Sequence, residues 1–181
     1  LGVKDFFQEA YFMDAIATIL GRRSIRSFTE EAVADEQIRT MLTAAMSAPS
    51  AGNSRVWRFV VVTDRDILKQ AAVINPYAAM AARAPLGIMV CADTKAERFP
   101  GYWQQDCAAS MQNLLLAAHA LGLGAVWTGV YPMQDRVKAF AALLSLPEGV
   151  IPMGFAVIGH PAQALPPHDE YVESFVHANR W

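Results

Sequence analysis

The densest chemistry in the sequence lies in Gly21-Arg22-Arg23-Ser24-Ile25-Arg26, with the loop Ser47-Ala48-Pro49-Ser50-Ala51-Gly52-Asn53 some way further on. Three guanidiniums and a hydroxyl within five residues offer many hydrogen-bond donors and almost no acceptors. A phosphate, or a cofactor that carries one, suits that inventory; a basic turn facing water has the same composition. The other reactive side chains narrow the choice. His119, His160, His168 and His177 show no His-x-x-x-His spacing and have no cysteine neighbour, so no protein metal site is expected. Cys107 and His119 on one helix would stand about 18 Å apart along its axis, too far for a thiol and its base. Cys107 reads as core. There is no Gly-x-Gly-x-x-Gly, no Gly-Lys-Ser/Thr and no conspicuous pair of carboxylates. What remains is a donor-rich phosphate site in a chain poor in catalytic acids and bases, which points to an enzyme whose cofactor carries the chemistry.

Composition sets the frame for that site. The chain has 181 residues, room for a single domain over 1–181 with one sizeable core. Hydrophobic residues make up 54% and charged residues only 18%, so part of the surface is expected to be buried against a second copy of the chain. A formal charge of −2 gives no general attraction for nucleic acid or anionic membranes. Two cysteines without a framework spacing suit a reducing cytoplasm. Residues 1–12 carry Lys4, Asp5 and Glu9, which break any signal-peptide run, and read as an extension ahead of a helix start at Asp14. No stretch is long and apolar enough to span a bilayer.

The elements that must position the cluster follow from capping and periodicity. Asp14 caps a helix that Gly21 ends, setting the arginines just beyond a helix C-terminus. Asp35 opens a second helix with Ile38, Met41, Leu42, Ala45 and Met46 on one face. Trp57-Arg-Phe-Val-Val-Val is a strand, expected to be central, and Leu86 to Ala92 a second. Between them lie a short helix, Asp66 to Val73, and a further turn of helix from Pro76. Lys95 to Trp103 mixes charge, rings and breakers, which suits a surface lid over a pocket and equally an ordinary surface loop. Asp106 to Leu121 is apolar nearly all round and must be covered on several sides. A strand at Ala125-Val126-Trp127 closes on Thr128-Gly129, Gln134 to Leu144 is helical, and Met153 to Ile158 is the last strand. Strands separated by helices lean toward a parallel sheet. The tail from His160 to Trp181, with Tyr171, Phe175 and Trp181, is expected to dock on a partner subunit.

Taken with Ala48-Pro49-Ser50-Ala51-Gly52-Asn53-Ser54, Gly122-Leu123-Gly124-Ala125-Val126-Trp127-Thr128-Gly129, Pro152-Met153-Gly154-Phe155 and Ile158-Gly159-His160-Pro161, the arginine cluster makes the chain from about Asp14 to Trp181 resemble the FMN-dependent nitroreductase family. The resemblance implies an α+β fold in which a mainly antiparallel central sheet is wrapped by helices, and it replaces the parallel reading. It further implies a homodimer that exchanges C-terminal segments 160–181 and holds FMN at the interface. By position, Arg22 and Arg23 would take the phosphate, Ser24 the ribityl or pyrimidine edge, and Arg26 the region of N1 and O2. Pro49, Ser50, Ala51 and Asn53 would come from the other subunit. Trp127, Thr128 and Gly129 would lie along the flavin face, with the Thr128 backbone N–H toward N5. Arg55-Val56 and Phe175 depart from the family pattern; Arg180 is then assigned the tail's phosphate contact, with His177 as the competing residue. The implied activity is a ping-pong transfer of hydride from NADH or NADPH through N5 to a small-molecule acceptor such as a nitroaromatic or quinone, with Phe99, Tyr102 and Trp103 as lid contacts. A flavin-storage protein without turnover, and family variants performing reductive dehalogenation or flavin fragmentation, remain alternatives.

Overall fold

The computed structural model describes residues 14–167 and 170–181, so the expected extension 1–12 lies outside the described residues. Four strands form one sheet: β1 (Trp57–Val62), β2 (Leu86–Asp93), β3 (Gly124–Gly129) and β4 (Val150–Gly159), in the order β1-β2-β4-β3. Every pairing is antiparallel. The fold is therefore α+β with an antiparallel sheet, as the resemblance implied. The parallel leaning has a physical source: β2 is buried along nearly its whole length, an unbroken apolar run of the kind parallel strands carry when helices cover both faces. Here helices cover both faces of antiparallel strands.

Among the described residues, five helices make the two outer layers: α1 (Ala15–Gly21), α2 (Asp35–Met46), α3 (Arg65–Ile74), α4 (Trp103–Ala120) and α5 (Gln134–Leu143). One core lies between the sheet and α2 with α4, around Met41, Ile88, Met111, Leu114 and Ile158. A second lies on the opposite face under α3, α5 and the 3-10 turn Pro76–Ala82, around Leu68, Met89, Phe140 and Phe155. β1 is not central as predicted but an edge strand, and Val61 on it is exposed. Its aromatic and β-branched residues are rich enough for a core strand because α2 and α4 cover one side of it. No helix of the described residues is long and apolar enough to cross a membrane.

Local chemistry sets the helix ends that matter for the site. The Asp14 carboxylate accepts from the N–H groups of Ile16 (2.9 Å) and Ala17 (3.3 Å), so α1 starts where predicted and delivers Arg22 as its C-cap. α4 begins three residues before the predicted start. Glu97 accepts from the N–H groups of Tyr102 (2.8 Å) and Trp103 (2.9 Å), satisfying donors that a helix start leaves free. This corrects the lid: Trp103 lies inside α4, is only 7% exposed, and packs edge-on against Tyr131 in the core. Phe99 and Tyr102 remain exposed.

Candidate active site

The arginine cluster is tied to the start of the edge strand β3. Ser24 bridges Ala125, the Ile25 N–H donates to the Ala125 carbonyl (3.0 Å), and the Ile25 side chain fills the space where a Gly124 Cβ would stand. Further along, the Thr29 N–H donates to His160 and the Ala162 N–H to Ser27, so residues 24–29 run as an irregular border between β3 and the tail. Arg23 donates to the Pro166 carbonyl. Arg26 is exposed and reaches the Ser24 carbonyl at 3.3 Å. The Arg22 Nε is buried without a hydrogen-bond partner among the described residues. A buried donor on a permanent cation is costly to leave unpaired, and an anion is the natural partner. The donor set here, two adjacent guanidiniums and the Ser24 hydroxyl at a helix end, fits a phosphate in number and charge.

From that end β3 runs along the open side of the sheet. Because the Ala125 carbonyl faces outward to Ile25, strand alternation turns the backbone groups of Trp127 and Gly129 outward as well. The Gly129 carbonyl confirms the direction: it accepts from Asn75 Nδ2 and Arg136 Nη1, each at 3.1 Å. Thr128 pairs with Phe155 of β4 and turns inward, and its hydroxyl donates to the Phe155 carbonyl at 2.8 Å. The outward N–H groups thus belong to the neighbours of Thr128, not to Thr128 as the resemblance implied. Trp127 is 37% exposed and lays its indole across Gly154, where a Cβ would collide with the indole nitrogen. A Cβ at Gly129 would meet nothing within 4 Å. The outer edge of β3 is therefore a smooth shelf with an indole along it and a donor-rich, cationic end.

Pro49, Ser50, Ala51 and Asn53 are brought together elsewhere. Ala51–Asn53 is a single 3-10 turn in which Gly52 and Asn53 take positive φ (58° and 54°). Asp106, buried at 5% exposure in the first turn of α4, accepts from the Ala51 N–H at 2.9 Å. Ser50 accepts from the Arg55 N–H, and Asn53 accepts from Arg55 Nε at 3.1 Å. Arg98 donates from its side chain to the Gly52 carbonyl (3.0 Å) and from its N–H to Ser54, while the Phe99 ring presses on Gly52. Lid and loop are one unit.

That unit stands far from the arginines of the same chain. Asp106 holds the loop at one end of α4, whereas His119 at the other end lies against Gly21, with its Nε2 2.9 Å from where a Cβ would be. Thirteen helical residues separate them, about 20 Å. The loop also leads into β1 and the arginines border β3, the two opposite edges of the sheet, about 14 Å apart. One chain presents two half-sites.

Sequence reasoning missed Asp106, Asn75, Arg136, Glu97, Arg98 and His119. Asp106 and His119 are the acidic and the basic residue of the largely apolar α4, and this was the available signal. His119 is held below the usual imidazole range by burial and then by the Arg22 charge. Arg180 lies in the tail, its side chain outside the hydrogen bonds and ion pairs of the described residues, and the His177 ring packs on Trp181 at 4.3 Å between centroids. Cys91 and Cys107 are buried, and burial pushes both thiols up to about 12.

Comparison with known proteins places these features in context. A model of the "Nitroreductase family" matches residues 19–76 and 68–160. A protein of Methanothermobacter thermautotrophicus named "Putative NADH dehydrogenase/NAD(P)H nitroreductase" is 46% identical over 93% of this chain and 88% of its own length. A crystal structure of the same name from Bacteroides thetaiotaomicron superposes with a TM-score of 0.89 at 41% identity, covering 92% of this chain and 98% of that one. The structure of a "putative nitroreductase in complex with fmn" from Desulfovibrio desulfuricans superposes with a TM-score of 0.81 at 32% identity, covering 93% and 98%.

Proposed function

Because this chain belongs to the nitroreductase family, and is with its relatives an NAD(P)H-dependent flavin oxidoreductase that uses FMN, we propose that it reduces nitroaromatic, quinone or similarly flat acceptors by ping-pong hydride transfer at one shared face. The observation that carries the reading is the buried, unpartnered Arg22 Nε at the head of the β3 shelf. FMN, when bound, supplies a two-electron store that takes hydride from NADH or NADPH and passes it to the acceptor.

The chain's own residues do the rest. Arg22 and Arg23 grip the phosphate and Ser24 adds a hydroxyl donor beside them. Arg26, the exposed cation of the group, would stabilise the negative charge that reduction adds to a bound flavin ring. Trp127 and Gly129 line the flat face, Gly129 leaving room for a ring to lie against backbone. The opposite wall comes from a second copy, whose Pro49, Ser50, Ala51 and Asn53 bring Phe99 and Tyr102 with them through the Arg98 and Phe99 contacts. Phe99 and Tyr102 border the acceptor. The unpaired outer edge of β1, with a groove of about 450 Å³ lined by Leu42, Met46, Trp57 and Phe59, is the place for the end of the partner's tail; of the expected 160–181 segment, His160, Ala162 and Pro166 are instead held on their own chain by Thr29, Ser27 and Arg23. Its exposed Tyr171, Phe175 and Trp181 supply the apolar contacts.

The engaged Thr128 hydroxyl favours hydride transfer over one-electron reductive dehalogenation, since its proton is committed to Phe155. The purified protein should be yellow, and anaerobic addition of NADH or NADPH should bleach the oxidised flavin band on the timescale of turnover. Persistent colour would leave a flavin-storage protein, and a colourless preparation that does not take up added FMN would sink the cofactor reading.

A further inference from the structure

We propose that His119 is a further phosphate-binding residue of this chain, taking up a proton from solvent as the phosphate arrives and donating Nε2–H to it. This rests on the FMN reading above. The residue sits one position before the end of α4, and its imidazole lies directly over Gly21, close enough that any side chain there would meet Nε2 at 2.9 Å. The next residue is Arg22, whose Nε is buried and unpartnered. The imidazole and that guanidinium are therefore neighbours, brought together at the ends of two helices and close enough for the Arg22 charge to act on the ring.

The charges around His119 decide which way it titrates. α1 contributes no charged residue between Ala15 and Gly21, and its cap Asp14 is a helix length away. On α4 the turns from Asn113 to Ala120 hold no other ionisable group, and β3 and β4 hold none. α2 carries Asp35, Glu36 and Arg39, β1 carries Arg58 and β2 carries Asp93; among the described residues it is the Arg22 charge that acts on the ring. In the free chain burial and then Arg22 keep the ring neutral near pH 7. A phosphate dianion reverses the balance: it offsets the Arg22 repulsion and offers the imidazolium an acceptor, with the negative end of α4 as a second favourable field. The ring's pKa rises on binding. By linkage, affinity for FMN is then greatest below the raised pKa and declines as pH climbs through it.

The test is calorimetric titration of the full chain, freed of flavin, with FMN at pH 7 in two buffers of different ionisation enthalpy. Wild type is compared with His119→Gln, which keeps the size and removes the titration. Wild type should take up about a third to a half of a proton more per FMN than the variant. Its affinity advantage should grow from nearly none at pH 8.5 to about tenfold at pH 6. Riboflavin, which lacks the phosphate, should give equal proton counts in both. Should the variant not fold, wild type alone still decides: FMN must draw more protons than riboflavin after allowing for the phosphate's own ionisation. Tight FMN binding with identical proton counts overturns the role of His119 and leaves the flavin site standing. Failure of either protein to bind FMN overturns the flavin reading itself, and this role with it.

Discussion

Single side chains at the shelf are committed in ways that make their roles separable. The Thr128 hydroxyl is buried and spends its proton on Phe155, so Thr128→Val should cost stability, about 1 kcal/mol by urea unfolding. The same change should leave the partition between one- and two-electron products untouched, and a shift in that partition would show that the hydroxyl turns toward the flavin. Arg26→Ala, by contrast, should lower the potential of bound flavin with little effect on unfolding, because the side chain is exposed and makes only a long contact to Ser24. An unchanged potential removes its proposed role. His119 gives the residue-scale pH signature of the flavin-free protein. Its folded pKa is depressed from 6.5, so the unfolded chain binds more protons in the window just below that value. Stability should be complete above about pH 6.5 and fall as pH drops through the depressed value, a slope that His119→Gln removes when urea midpoints are compared at pH 5 and 7.5.

At the scale of elements, α4 organises the site by its two ends, and its N-terminal end depends on one buried carboxylate. Asp106→Ala leaves the Ala51 N–H without its acceptor and should destabilise the fold by about 1–3 kcal/mol while loosening the loop that carries Asn53. Asp106→Asn keeps an accepting oxygen and should recover most of the loss; equal damage from both would mean that charge, not the hydrogen bond, holds the loop. How much of this could be read in advance varied with the range of the interaction. α1, α2 and the arginine cluster were legible because Asp14, the Ile38/Met41/Leu42/Ala45 stripe and Gly21 act within a turn or two of chain. The start of α4 is not legible because the Glu97 carboxylate that caps it comes from before the aromatic pair it satisfies, and Trp103 consequently reads as a lid residue when its partner is Tyr131. The edge position of β1 and the inward turn of Thr128 depend on strand order and register, which no local pattern encodes. The same long-range packing silences Cys91 and Cys107, whose thiols, raised to about 12, should stay unmodified by a thiol reagent at pH 8 until the protein is unfolded.

Over the whole molecule, the decisive fact is that the arginine cluster and the Pro49–Asn53 loop occupy opposite ends of α4 and opposite edges of the sheet. On the proposed reading, a flavin gripped by Arg22 and Arg23 of one chain would not also reach that chain's own loop, and each site would join the arginines of one copy to the loop of another. Two copies related by a two-fold axis then make two such sites. Subunit mixing tests this more sharply than a mass measurement. A chain carrying Arg22→Ala with Arg23→Ala and a chain carrying Asn53→Ala with Ser50→Ala should each bind FMN poorly as homodimers. In the mixed dimer, both lesions fall in one site and the other is entirely wild type, so co-purified heterodimers should regain one FMN per two chains together with roughly half the wild-type rate of flavin reduction by NAD(P)H. If each chain instead built its whole site alone, every site in the mixture would carry a lesion, and neither bound flavin nor reduction would return.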